Sequence, residues 1–275
     1  GSVQDQANAY LTFGTIYKYQ LEYEKALQSN LKAIELNRLL GDSLMIAVNQ
    51  YRAGNNLLFM HRLDSALKYT TLALNYYKQI ADTFKIFSAK IQLGKILTVD
   101  CKGKEAQAYF EKLITEISDS KLKNKRNFLA WANYWLSQSE MQTGDFRDAA
   151  KHLQKSIGHY EQLNLMHSMI GSMQKLGELY LMTGDYALAY ELFFDSYKKA
   201  GYVKGTTGQM HFIAQHHLNM GEVYANIRKY NDALLLFDST LNMADRHGLV
   251  NLKAKAYRAI GKIKFKQGKY DEALR

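Results

Sequence analysis

A pair of small residues twelve positions apart recurs seven times along this 275-residue chain. The pairs are Gly14 with Ala26, Gly54 with Ala66, Gly94 with Ala106, Ser137 with Ala149, Gly177 with Ala189, Gly221 with Ala233 and Gly261 with Ala273. The step from one pair to the next is 40, 40, 43, 40, 44 and 40 residues. Length therefore varies between units and never inside the twelve-residue core, which assigns the variable segments to inter-repeat loops. A small residue in the middle of one helix and an alanine early in the next let two antiparallel helices approach where larger side chains would hold them apart. Glycine costs about 1 kcal/mol of helix propensity, and a chain that places it mid-helix at this period recovers that cost in packing. The complete absence of proline agrees, since average usage of about 5% predicts about a dozen and nothing here interrupts a helical hydrogen-bond ladder. Size alone permits two domains or one repeat array; the periodicity favours the array.

The residues around each pair repeat a helix-turn-helix pattern. Leu176, Gly177, Glu178, Leu179 and Tyr180 lead to a turn at Gly184 and Asp185, then to Tyr186, Ala187, Leu188, Ala189 and Tyr190. The turn supplies a glycine to end one helix and an aspartate to cap the next. Leu-Gly-x-x-Tyr followed by Gly-x-Tyr-x-x-Ala resembles the tetratricopeptide repeat, most clearly in Leu176 to Ala189, Met220 to Ala233 and Ile260 to Ala273. The family's usual period is about 34 residues, with a tryptophan early in the first helix and a proline ending the second; neither stands in register here. The chain resembles instead the long-helix variant found in peptide-sensing bacterial regulators, kinesin light chains and cell-polarity scaffolds. The resemblance implies an all-α, right-handed superhelical solenoid of seven antiparallel helix pairs, the last one truncated. It would be a single solenoid over 1–275, with repeats at about 3–42, 43–82, 83–122, 123–164, 165–204, 205–248 and 249–275.

First helices are expected near 3–18, 43–60, 83–100, 123–143, 165–183, 206–227 and 249–267, with second helices between them. The longest connections, Asp119 to Asn127 and Gly201 to Gly208, are candidate flexible loops; Gly201, Gly205 and Gly208 make the second either a hinge or a plain surface loop. Gly1 and Ser2 resemble a cloning remnant, and an array needs a terminal cap that residues 249–275 do not supply. The natural protein is therefore expected to continue at both ends.

In the family, a concave groove is lined by five positions of each first helix, six and three before the small residue and one, four and five after it. Carried over, the second repeat presents Val48, Tyr51, Asn55, Leu58 and Phe59, and the fourth presents Trp131, Tyr134, Gln138, Met141 and Gln142. The fifth presents Gly171, Gln174, Glu178, Leu181 and Met182, and the sixth Gln215, Leu218, Glu222, Ala225 and Asn226. Tyr51, Phe59, Trp131 and Tyr134 are candidate anchors for a peptide or amphipathic helix, because rigid aromatics dominate interface energies; the alternative is that they pack in the core. Asn55, Gln138, Gln174, Glu178, Glu222 and Asn226 are candidates for holding a bound backbone, or are simply solvated. In the last first helix, Lys255, Arg258, Lys262 and Lys266 form one basic stripe beside Phe265. Residues 249–275 carry a net charge of +6 out of +10 for the chain, which suits an acidic partner segment unless the stripe is only a solvated face. The family's chaperone-capturing branch is rejected, because Glu178 stands where an asparagine would receive a carboxylate.

These features point to a protein- or peptide-binding module, the regulatory or sensing part of a larger protein. The alternative is a structural scaffold or homo-oligomerisation domain without a soluble ligand. Enzyme chemistry has no visible seat: there is no glycine-rich phosphate loop, His-Glu-x-x-His pair or nucleophile elbow. No cofactor or metal is implied, since His211, His216 and His217 share no two-ligand face and Cys101 is a lone thiol in a turn. Basic residues at Lys121, Lys123, Lys125 and Arg126 belong to no nucleic-acid-binding signature, which argues against nucleic acid. No segment has the roughly 18 consecutive apolar residues of a membrane span. A cytoplasmic location is favoured, or a periplasmic one if a signal peptide has been removed upstream.

Overall fold

The computed structural model describes residues 1–202 and 206–273; Gly205 of the expected hinge lies outside the described residues. The described residues form fourteen α-helices and no strand. They divide into two compact units, Gly1–Asp145 and Phe146–Arg275. The first contains α1 (Val3–Tyr19), α2 (Tyr23–Leu39), α3 (Ser43–Phe59), α4 (Leu63–Gln79), α5 (Thr83–Val99), α6 (Gly103–Asp119) and α7 (Lys125–Thr143). The second contains α8 (Phe146–Gln162), α9 (Met166–Thr183), α10 (Tyr186–Ala200), α11 (Thr206–Asn226), α12 (Tyr230–His247), α13 (Val250–Lys266) and the short α14 (Tyr270–Ala273). Within each unit consecutive helices pack as antiparallel hairpins, and first helices of successive hairpins also touch, as α3 does α5 and α11 does both α9 and α13. No helix among the described residues is long and apolar enough to cross a membrane.

The small residues admit close packing, and the side chain that fills the space stands sixteen positions on. A methyl group on Gly94, Gly177 or Gly221 would come within 3.0 Å of three ring carbons of Phe110, Phe193 or Phe237, rings that are fully buried. In the first two repeats the same slot holds polar side chains, Asn30 against Gly14 and Thr70 against Gly54. A buried amide network accompanies them: Asn56 Nδ2 donates to Asn30 Oδ1 at 2.9 Å, and Gln92 Nε2 donates to Thr70 Oγ1 at 2.9 Å.

Helix ends follow local chemistry. Ser2 and Asp5 form a reciprocal capping box, and Asp42 and Asp82 accept from the backbone N–H groups of Met45 and Lys85, filling orphan donors. Gly144, Gly184 and Gly248 end α7, α9 and α12 in the left-handed conformation. The expected side-chain cap by Asp185 is absent. Its carboxylate accepts instead from Thr183 Oγ1 at 2.9 Å, locking the turn from the other side. Leu21, His61, Ala81, Cys101, Asn164 and Arg228 turn the chain at positive φ without being glycine.

Candidate functional site

In the second unit, α9, α11 and α13 present residues at helical spacing to one cavity of about 310 Å³. Glu178, Leu181 and Met182 come from α9; Gln215, Leu218, Asn219, Glu222 and Asn226 from α11; Lys255, Arg258 and Lys262 from α13. Leu218 is buried and forms an apolar floor with Leu181. The two carboxylates and the three cations, which the sequence offers as separate features, thus face one space. Lys266 lies lower on α13, lining a smaller cavity of about 150 Å³ with Glu222, Asn226 and Lys262.

The charges are graded across the site. Burial raises the Glu222 carboxyl above its ordinary range, and the Glu178 carboxylate adds to this, while Lys262, Lys255 and Arg258 pull it down. Glu222 therefore sits between an acidic neighbour and a basic wall. Glu178 is held by Lys175 at 2.5 Å, whereas Lys255, Arg258 and Lys262 form no ion pair among the described residues. Between the walls runs a set of amides. Gln215 Nε2 donates to Asn219 Oδ1 at 2.7 Å, leaving the buried Asn219 Nδ2 without a partner; Asn226 Nδ2 donates to the Glu222 carbonyl at 2.9 Å. Buried amides without partners are costly, and this one belongs to a residue in the cavity wall. Gln174, expected in this groove, is buried and is not among the residues that line the cavity.

In the first unit, Tyr51 and Asn55 line a cavity of about 240 Å³ together with Thr15, Lys18, Tyr19 and Arg52. Burial pushes the Tyr51 hydroxyl up to about 12, and the ring packs on the core of Ala47, Ala73, Leu74, Tyr77 and Ala89. Phe59 is exposed and stacks on Tyr23 with ring centroids 4.8 Å apart. Trp131 is half-buried with its ring edge-on to the fully buried Phe128 at 5.6 Å, so it belongs in part to the core. Tyr134 is half-buried beside Trp135 at 5.5 Å, and Gln138 Nε2 donates to Ser137 Oγ at 3.4 Å. Leu58, expected in the groove, is buried with Leu27, Ala53 and Leu57.

No family model matches the sequence, and no curated protein matches it. Solved structures do resemble it. The apo form of the quorum sensor NprR from B. thuringiensis aligns with a TM-score of 0.81 at 15% identity, covering 100% of this chain and 75% of that one. A second structure, NprR in complex with its cognate peptide NprX, aligns at 0.68 and 15% identity over 87% of this chain and 66% of that one. A Rap protein complexed with competence and sporulation factor aligns at 0.68 and 16% identity over 96% and 76%. The TPR-like repeats of a kinesin light chain from Podosopora anserina align at 0.56 and 13% identity over 72% and 93%. The chain has the tetratricopeptide-repeat fold.

In this tetratricopeptide framework both cavities draw on equivalent positions. The positions one, four and five after the small residue of one first helix give Thr15, Lys18 and Tyr19 in one unit, and Glu178, Leu181 and Met182 in the other. They meet positions three before and one after in the next: Tyr51 and Asn55, and Leu218 and Glu222. A sixth position, two before the small residue, supplies Arg52 and Asn219 and is absent from the five-position rule. Lys18 falls on that rule, and so does the aromatic Tyr19 beside it, but the groove positions carried over from the family do not include those of the first repeat.

Proposed function

We propose that this chain is a peptide-binding regulatory module that receives an extended segment in the second-unit cavity. The observation that carries the reading is the arrangement of Glu178 and Glu222 opposite Lys255, Arg258 and Lys262, with Asn219 between them and an apolar floor beneath. Free backbone N–H and C=O groups of a bound chain suit the amides, and the charged walls select its side chains. Similarity in fold to a quorum sensor solved with its cognate peptide supports the choice of peptide over other ligands. Phe59 and Tyr134 of the first unit offer a separate aromatic surface, and the three cations of the second-unit cavity, which form no ion pair among the described residues, suit an acidic residue of the ligand.

A displayed library of random peptides selected on the immobilised chain tests this. Enrichment of a consensus, with binding reduced about tenfold or more in Arg258→Glu while helicity is unchanged, is the expected result. Failure to enrich, combined with a sedimentation mass that rises with concentration in the wild type and not in Arg258→Glu, would assign the cavity to self-association, as in a scaffold.

A further inference from the structure

The first unit carries a cluster of cations that no acidic group balances. Lys18, Arg52 and Lys95 come from α1, α3 and α5, the first helices of three successive hairpins. They are near enough to act on one another: Arg52 makes Lys18 a weaker base after partial burial has done so, and Lys18 does the same to Lys95. None of the three forms an ion pair among the described residues, although Lys25, Arg62, Lys85, Lys90 and Lys102 of the same unit all do. Lys18 and Arg52 line the cavity of about 240 Å³, several times the roughly 30 Å³ that one water occupies in the liquid.

The neighbours of these cations hold them in place without neutralising them. Arg52 Nη1 donates to Thr15 Oγ1 at 2.9 Å and to the Leu11 carbonyl at 3.4 Å, which fixes the guanidinium and leaves most of its five donors uncommitted. The Lys95 ammonium lies over the rings of Trp135 at 5.1 Å and Phe59 at 5.9 Å, a setting that attracts a cation but removes no charge. Burial, and then Lys18, bring the Lys95 amine down to about 8, which records how incompletely it is compensated. Three cations that repel one another and are partly withdrawn from water favour any anion that reaches them.

We propose that the cavity bounded by Lys18 and Arg52, with Lys95 beside it, is a binding site for an oxyanion group, a carboxylate or a phosphate. Arg52 is the principal contact, because its planar fork matches two oxygens of either group. Lys18 closes the site from the rim, and Lys95 adds charge from the third helix. This site stands apart from the peptide reading of the second unit and does not depend on it.

The test is titration of the full chain with sodium phosphate and, separately, sodium acetate, at an ionic strength held constant with sodium chloride. The Arg52 Nε–Hε resonance is followed by NMR. A saturating shift is expected with one or both, weakened about tenfold or more in Lys18→Gln and unchanged in Lys253→Gln, whose ammonium pairs with Asp245 in the second unit; Arg52→Gln, which lacks that resonance, is titrated by calorimetry and should bind about tenfold or more weakly. Saturation by phosphate alone identifies a phosphate-bearing ligand, and saturation by acetate a carboxylate. If Arg52→Gln loses its fold along with the Thr15 contact, Lys18→Gln still decides, read on the Arg52 resonance, since the Lys18 side chain makes no hydrogen bond among the described residues. A shift that grows without saturating, or an affinity in Lys18→Gln equal to that of the wild type, overturns the proposal.

Discussion

The packing argument is sharpest at Gly221, where adding one methyl group has two opposed consequences. Alanine improves helix propensity by about 1 kcal/mol. Its Cβ, however, would lie within 3.0 Å of three carbons of Phe237, and that ring is fully buried, so it cannot swing aside. Overpacking of this kind costs about 1–3 kcal/mol, which gives Gly221→Ala a net loss of up to about 2 kcal/mol. For a chain of this size each kcal/mol moves the midpoint by about 2–4 °C, so Tm should fall, by up to about 8 °C. Gly171 supplies the control, because nothing lies within 4 Å of the position its Cβ would take; Gly171→Ala should raise Tm by about 2–4 °C through propensity alone. Thermal unfolding followed by circular dichroism measures both. If Gly221→Ala stabilises as much as Gly171→Ala, the glycine is not there to admit the phenylalanine, and the account of the repeat spacing is wrong.

Three further outcomes are expected. Lys95 should make stability depend on pH: its folded-state amine is held down to about 8 against about 10.4 when unfolded, so the unfolded chain binds the extra proton between those values and stability rises with pH across that window. At about 1.4 kcal/mol per pH unit the gain approaches about 3 kcal/mol, and it should vanish from denaturant midpoints of Lys95→Met; a difference between wild type and variant that is flat from pH 7 to 11 counts against it. Ala81 turns at φ 52°, where Gly41 sits in the preceding inter-repeat connection at φ 68°, and left-handed backbone costs a non-glycine residue about 1–2 kcal/mol. Ala81→Gly should therefore stabilise by about 0.5–1 kcal/mol after the added freedom of the unfolded chain is counted, as read from urea midpoints. Trp131→Ala should lower stability by about 1–2 kcal/mol, because the ring packs on Phe128, whereas Phe59→Ala, at an exposed ring, should change stability by less than about 1 kcal/mol; equal losses would show that both are core.

The repeat spacing was enough to place the hairpins, because the steric demand of close helix approach recurs at fixed register whatever else the sequence does. The partner of each glycine was equally periodic, sixteen positions on, yet less visible. The slot holds Asn30, Thr70, Phe110, Phe193 and Phe237, and an amide, a hydroxyl and a ring share no obvious class until the space they fill is known. Burial of Leu58 and Gln174 was hidden for another reason. The equivalent positions of other repeats, Lys18 and Leu181 for Leu58, Tyr51 and Leu218 for Gln174, do line a cavity, so which of them is covered depends on the side chains packed around each one and not on register alone. Arg52 and Asn219 were missed because they stand two before the small residue, a position that the five-position rule assigns to no surface.

Both cavities lie where one first helix meets the next, and this has a consequence for how ligand chemistry is written into such a chain. The hairpin core uses the small residue, the alanine twelve on and the side chain sixteen on, and none of these lines the first-unit cavity except Gly14 and Asn30 at its base. The charged residues of the cavity walls stand at positions outside that set. The same backbone therefore presents a wall of Lys18 and Arg52 in one unit and a graded run from Glu178 and Glu222 to Lys255, Arg258 and Lys262 in the other. Because neighbouring repeats each supply only part of a wall, a charge change in one repeat alters one cavity and leaves the packing of its own hairpin intact. Ligand preference in this chain is thus a property of junctions between repeats, and substitutions at Lys18 or Arg258 should change binding without moving Tm by more than about 2 °C, as surface substitutions away from packed features do.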